Sequence, residues 1–313
     1  MGGLGNQLFQ IFTVIATALR NKDTFFFLEE QELAVISIPT RYTHWSTLFR
    51  GLRKFLTAST EITKRMFQSL PRWDEIGFHY TPLPTETVKY PKPFRFHGYF
   101  QSEKYFVDKY DQICEMIQLS QQQSWIKQIY GNETWSADYT GSPDKRRVLV
   151  STHFRIGDYA THSHIHPVMK VDYYYQAICN IISANTSLRS PYIAYSFLVF
   201  YEPCDKNIVL KNVAELKQRC TTDINGPAYG CDIQFHFVRD TIPDWQQLLL
   251  MSVCDHNIIA NSTFSWWGAY FNSTPAKIVC YPSVWFGPGV PHNTKDLCPE
   301  TWLKIELDTS TPG

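Results

Sequence analysis

The chain has 313 residues, of which 44% are apolar and 15% aromatic, enough for one large domain or two ordinary ones with cores of their own. Basic and acidic residues number 29 each, so no net charge recruits nucleic acid or an anionic membrane, and any anion site must be local. No run of about 18 apolar residues occurs, and the N-terminus lacks the basic, apolar and small-residue blocks of a signal peptide.

Gly2-Gly3-Leu4-Gly5-Asn6-Gln7 reads as a glycine-rich turn, and Leu8, Ile11, Phe12, Ile15, Ala16 and Leu19 then fall at helical spacing. Phe25 to Leu28 read as a strand. Residues 35–95 mix aromatics, prolines and charges without a period and predict only irregular structure. His97 to Phe106 are aromatic-rich, and 108–128 read as one helix. Residues 131–146 are polar, with Gly, Ser and Pro, and form the best candidate linker. Beyond it, strand-like runs at 148–154, 193–201, 234–238, 257–260 and 278–281 alternate with helix-like runs at 172–185, 205–218, 244–254 and 264–271. That alternation predicts a parallel sheet with helices on both faces, whose ligands bind where strands end at the carboxyl edge. Asp172 and Asp244 stand at N-cap positions, with Gln247 at capping-box spacing.

None of the eight cysteines is at zinc-ligand spacing, and there is no C-x-x-C. Cys179, Cys254 and Cys280 lie in apolar runs and read as small buried hydrophobes. Cys220 and Cys231 flank a loop and can pair if the protein is secretory. Four sequons, beginning at Asn132, Asn185, Asn261 and Asn272, lean the same way.

Three segments are suited to chemistry. The Gly2–Gln7 turn lets a ligand approach backbone at a helix N-terminus, or is simply a tight turn. It is not the G-x-x-x-x-G-K-[ST] phosphate loop, which appears nowhere. The turn after strand 148–154 carries His153, Arg155 and Asp158. Arg155 offers a planar fork of donors that suits a diphosphate. Asp158 can orient Arg155 or an incoming hydroxyl, and His153 can shuttle a proton near neutral pH. The competing reading is a surface Arg–Asp pair worth little. Asn261-Ser262-Thr263-Phe264-Ser265-Trp266-Trp267-Gly268 again runs from strand end into helix, where hydroxyls and N–H groups hold phosphate oxygens or merely cap. Its two tryptophans read as core. His162, His164 and His166 alternate; extended, they would share one side, but a polar loop is the preferred reading, ahead of a loop histidine touching the acceptor and of a metal site.

In this order the three segments resemble the alpha-1,2-fucosyltransferases of glycosyltransferase family 11, the bacterial and invertebrate members more than the vertebrate ones. Gly98-Tyr99-Phe100-Gln101-Ser102, Asp172-Tyr173-Tyr174 and Met251 to Ala260 also match, so the resemblance runs from the first residues to about Trp285. It implies a GT-B type α/β fold with two Rossmann-like domains facing across a cleft, placed here at 1–140 on the acceptor side and 141–313 on the donor side. It implies an inverting, metal-independent transfer of fucose from GDP-fucose to a galactose 2-hydroxyl of a glycan acceptor. Arg155 would bind the diphosphate, Ser262, Thr263 and Phe264 would line the donor pocket, and Gly5, Asn6 and Gln7 would face it. The lack of a D-x-D pair agrees with the lack of a metal.

Three departures stand out. Ile156 occupies the place of the family's second Arg. Tyr201-Glu202-Pro203 replaces its Ser-Asp-Asp, leaving Glu202 as the candidate purine acceptor. The sequence starts at the glycine turn, where the family has a strand first, so the N-terminal sheet is expected to lack its lead strand. These departures also fit a non-catalytic glycan- or nucleotide-binding relative, or a transferase of the same fold using another sugar nucleotide. A bacterial protein would be cytoplasmic. A eukaryotic one would be a Golgi membrane glycoprotein whose anchor is missing from this sequence, and Asn261, in the donor pocket, would stay unglycosylated.

Overall fold

A computed structural model describes residues 2–29, 32–33, 41–84, 90–130, 146–184 and 193–307. One unit comprises Met1–Ser124 and His292–Pro299, the other Trp125–Pro291 and Glu300–Gly313.

In the first unit, α1 (Leu4–Asn21) comes directly after the glycine turn, as its apolar spacing predicts. Leu8, Phe9, Phe12, Ile15 and Ala16 are fully buried, and Phe12 meets the Phe106 ring edge-on at 5.4 Å. Then come β1 (Phe27–Glu29), β2 (Glu32–Leu33), β3 (Arg41–Tyr42), β4 (Leu56–Ala58), α2 (Glu61–Ser69), β5 (Arg72–Asp74) and β6 (Arg95–His97). Strands β1 with β4, and β5 with β6, pair in parallel, while β2 and β3 pair antiparallel. Order thus exists where periodicity showed none. The strands there have two or three residues, too few to display a period of two, and α2 buries no residue at all. Its start is nonetheless marked: Thr60 and Thr63 exchange backbone and side-chain bonds at 2.8 and 3.2 Å as a capping box. A cavity of about 870 Å³ is bordered by Ile11 and Val14 of α1, by Phe25–Leu28, and by Phe94–Phe100.

The single helix expected at 108–128 is two, α3 (Tyr110–Met116) and α4 (Leu119–Tyr130), broken where Gln118 takes a left-handed φ of 57°. Division of the chain falls within α4, ahead of the 140/141 suggested by linker-like composition; residues 131–145 lie outside the described residues. The latter half of α4 belongs with the second unit because Trp125 stacks on Trp245 at 5.8 Å, with rings 3° from parallel.

The second unit contains β7 (Arg146–His153), α5 (Val171–Ala184), β8 (Ile193–Phe200), α6 (Lys206–Thr222), β9 (Asp232–Phe237), α7 (Asp244–Ser252), β10 (His256–Ile258), α8 (Thr263–Tyr270), β11 (Val279–Pro282) and β12 (Leu303–Ile305). Six strands form one sheet in the order β12-β11-β10-β7-β8-β9, and every pairing is parallel. All eight residues of β8 are buried, which is why it reads as an unbroken apolar run and not as an alternation. Each strand and helix expected after the linker is present; β12, three residues long, is one strand more than the sequence pattern predicts. The caps are shifted. Asp244 is the first helical residue, with Pro243 at the N-cap, and Gln247 donates to the Ile242 carbonyl at 2.7 Å without completing a box. Asp172 lies inside α5 and accepts from Arg219 at 2.6 Å.

Strand order locates the site. After β7 the chain places β8 and β9 on one side, then crosses to place β10, β11 and β12 on the other. The order reverses between β7 and β10, and open parallel sheets bind ligands in the crevice at the carboxyl ends of such a pair. Those ends are His153 and Ile258.

All eight cysteines are free thiols, so Cys220 and Cys231 do not pair as the loop between them allowed. Asn261 and Asn272 are 1% and 2% exposed, and each amide donates two hydrogen bonds within the fold, so neither sequon can carry a glycan in the folded chain. Asn132 and Asn185 lie outside the described residues. Among those residues, no helix is long and apolar enough to cross a membrane.

Candidate functional site

Three segments meet at the carboxyl ends of β7, β8 and β10. The Phe154 N–H donates to the Phe200 carbonyl at 2.8 Å, which carries the β7–β8 ladder one residue further and sets Arg155 beside Glu202. On the other side Ile258 pairs with Thr152, so the loop entering α8 starts next to His153. The Phe264 ring lies 5.8 Å from the His153 ring, and the Tyr159 hydroxyl donates to the Asn261 carbonyl at 3.3 Å. His153, Arg155, Glu202, Ser262, Thr263 and Phe264 are thereby gathered at one edge of one sheet. Asp158 lies within the 3-10 turn Gly157–Thr161 that comes after Arg155, and its side chain lies outside the described residues. Gly5, Asn6 and Gln7 belong to the other unit. There Gln7 donates to the Tyr42 carbonyl at 2.8 Å, and Asn6 accepts from Gln101 at 3.1 Å.

Arg155 is the cation of this edge. Its side chain is 14% exposed and pairs with Glu202, and its guanidinium lies 4.9 Å from the centre of the Tyr159 ring. Ile156, at the place where the resemblance leads one to expect a second Arg, is turned into the core and 4% exposed. Gly157 permits the tight turn. It takes a φ of 32°, a Cβ there would come within 2.8 Å of the Glu202 carboxylate, and its N–H donates to Asp205 at 2.8 Å. Among the described residues, Glu202, Cys204 and Asp205 place potential ligand atoms within 4.8 Å of one another. Both carboxylates already have positive partners, Arg155 for Glu202 and the Gly157 N–H for Asp205. The Glu202 carboxylate, the candidate purine acceptor, faces Arg155.

His153 does not suit the proton shuttle proposed for it. The ring is buried, and burial followed by the neighbouring Arg155 charge lowers its pKa to about 3. A base that takes a proton only in strong acid works poorly near neutrality. The same shift is a statement about stability. The unfolded chain protonates this imidazole near pH 6.5 and the folded chain does not until about pH 3. Between those values the unfolded state binds more protons, so the His153 contribution is complete above pH 6.5 and is lost as the pH falls toward 3. A His153→Gln variant is expected to show a flatter fall of the denaturant midpoint between pH 6.5 and 4 than wild type. Identical slopes would show that His153 is not the group responsible.

At the start of α8, Ser262 is the N-cap residue with extended backbone, but its hydroxyl makes no cap to its own helix. Instead its carbonyl receives Trp266 N–H at 3.0 Å and Ser265 Oγ at 3.3 Å. The positive end of the helix and this hydroxyl are available to an anion. The two tryptophans are core, as expected: both are fully buried. The three alternating histidines do not share one extended side. Ile165 and His166 N–H groups both return to the His162 carbonyl at 2.9 Å, so the segment turns instead of extending. The sequence marks Asn261 as a donor-pocket residue but gives Tyr159 no role of its own and His166 only that of a loop residue, and it does not show that Tyr159 contacts both. Their contacts are with one another across loops, and spacing does not reveal such pairings.

An arginine and a helix start thus stand at the switch point of the parallel sheet of an α/β protein. The model of Glycosyl transferase family 11 matches residues 2–284, and the chain belongs to that family. It is 30% identical over 161 residues to the O-antigen biosynthesis glycosyltransferase WbnK of Escherichia coli, a match covering 50% of this chain and 44% of that protein. It is 27% identical over 216 residues to an alpha-1,2-colitosyltransferase of Escherichia coli, covering 67% of this chain and 62% of that protein. The chain thus spans less than two thirds of the length of either relative. A crystal structure of POFUT1 in complex with GDP-fucose superposes with a TM-score of 0.40 at 13% identity, over 90% of this chain and 95% of that one.

Proposed function

We propose that the chain is an inverting, metal-independent glycosyltransferase that moves fucose from GDP-fucose to the 2-hydroxyl of galactose on a glycan. The observation that carries this reading is Arg155 at the carboxyl end of β7, beside the start of α8, at the switch point of the sheet. In the reaction the acceptor oxygen attacks the anomeric carbon, the bond from that carbon to the diphosphate oxygen breaks, GDP leaves with the electron pair, and the acceptor hydroxyl gives its proton to a general base, the role assigned here to Asp158. Negative charge grows on the diphosphate as the bond breaks, so a fixed guanidinium and helix dipole act most strongly in the transition state. Ser262, Thr263 and Phe264 border the same edge as donor-pocket residues. Glu202 and the diphosphate compete for one guanidinium, so donor binding displaces the carboxylate from Arg155.

The 1,2 linkage in the name of the colitosyltransferase relative supports the same linkage here. That name also favours a second reading, in which the transferred sugar is colitose. Product release measured across sugar nucleotides separates the two: turnover only with the colitosyl nucleotide would replace fucose in this proposal. Metal independence has its own test. Turnover after chelator treatment is expected to stay within about twofold of the untreated rate, because Arg155 and the helix dipole meet the charge that a divalent ion would otherwise meet. A loss restored by added magnesium or manganese would contradict it.

A further inference from the structure

Arg155 is reached by a chain of ring contacts that the reaction itself does not require. Its guanidinium lies over the Tyr159 ring at 4.9 Å. The His166 imidazole stacks on the same ring at 4.5 Å, 15° from parallel, and the Phe286 ring lies 5.8 Å beyond His166. The segment bearing His166 is clamped by backbone bonds: Gly287 N–H to the Ile165 carbonyl and Gly289 N–H to the His164 carbonyl, both at 2.8 Å. The approach is so close that a Cβ on Gly287 would sit 2.4 Å from the His164 carbonyl oxygen. Asn261 ties the assembly to the start of α8. Its amide donates to the Pro167 carbonyl at 3.0 Å and the Trp285 carbonyl at 3.1 Å, while its own carbonyl accepts from Tyr159.

We propose that Tyr159 and His166 are positioning residues that hold the Arg155 guanidinium in place for the donor diphosphate; this rests on the assignment of Arg155 made above. An arginine side chain carries much rotamer entropy, and a group ordered before the ligand arrives does not lose that freedom on binding. The aromatic face also counters Glu202. With one side of the guanidinium against a ring, the cation is held over Tyr159 as well as toward the carboxylate, and remains placed when the carboxylate gives way. Neither role needs the tyrosine hydroxyl or a charge on the imidazole. What each needs is a flat ring.

The experiment is GDP binding by calorimetry together with donor turnover, on folded variants whose melting is measured alongside. Tyr159→Leu is expected to weaken GDP binding about tenfold and to lower kcat, while Tyr159→Phe stays near wild type. His166→Ala is expected to shift both in the same direction by less, and His166→Phe to restore them. In an Arg155→Lys background, which keeps the charge but lacks the planar group, Tyr159→Leu should add little, because coupled residues are not additive. Additive losses in that cycle, or equal losses for the Phe and Leu variants of Tyr159, would overturn the proposal. If Tyr159→Leu does not fold, the His166→Ala and His166→Phe pair decides: no rescue by Phe, or no loss in Ala, overturns it. Arg155→Ala run in parallel keeps the two ideas distinct. Wild-type GDP affinity in that variant would remove the diphosphate assignment itself, whereas its loss with Tyr159→Leu unchanged would remove only the positioning role.

Discussion

Replacing Arg155 by alanine is expected to lower kcat/KM for donor turnover by about 10²–10³-fold, the size of effect found when one preorganised donor to a developing anion is removed. The expectation comes from position. The side chain is held at the end of an apolar strand, 14% exposed, over the Tyr159 ring and against Glu202. Its charge is therefore less screened than that of a surface pair, for which a fraction of a kcal/mol is usual. The variant should melt close to wild type, because the guanidinium contacts a carboxylate that is 41% exposed and can be solvated when left alone. GDP binding should weaken with turnover, since the ground-state diphosphate meets the same group. Lys22→Ala serves as the control. Lys22 closes α1 in the other unit with a left-handed φ of 54° and should leave both quantities unchanged. Wild-type turnover in Arg155→Ala would show that the diphosphate is held elsewhere.

A second large effect is expected from Trp266→Ala, and it should be of the opposite kind. Trp266 is fully buried. Its ring stacks on Tyr270 at 4.6 Å and meets Trp267 at 5.1 Å and Trp302 at 5.4 Å. Removing it leaves a large cavity among rings that cannot collapse together, a loss of about 3–5 kcal/mol against a total stability of roughly 5–15 kcal/mol for a folded domain. Denaturation should show a markedly lower midpoint, with activity falling as the folded fraction falls. GDP affinity of the remaining folded molecules should change far less than in Arg155→Ala. A Trp266→Ala protein that melts like wild type but fails to bind GDP would place the tryptophan in the site and not in the core.

The reach of sequence reasoning differed between the two units for a physical reason. In the second unit the strands of the sheet interior are buried on both faces, so residues 193–200 announce themselves as an apolar block, and turn residues separate the blocks. In the first unit β1 was legible as the aromatic run Phe25 to Leu28, but the later strands are two or three residues long and α2 buries nothing, so no pattern marks them. The candidate site divides in the same way. Arg155 and Ser262 were legible as a strand end and a helix start because residue type and place suffice to mark them. Protonation of His153 was not, since it depends on the packing above the strand and on a neighbouring cation. Nor was the partner of Glu202, because strand order alone brings residue 202 beside residue 155. The ring contacts among Tyr159, His166 and Phe286 join positions separated by loops, and their spacing carries no periodic signal.

The most direct test of the account is a donor turnover assay with GDP-fucose and a galactose-terminated acceptor, with the linkage of the product determined by NMR. GDP release is expected to be coupled to an alpha-1,2-linked fucosyl product, and to slow by about 10²–10³-fold in Arg155→Ala. GDP binding without transfer, or transfer with a different linkage, would contradict it.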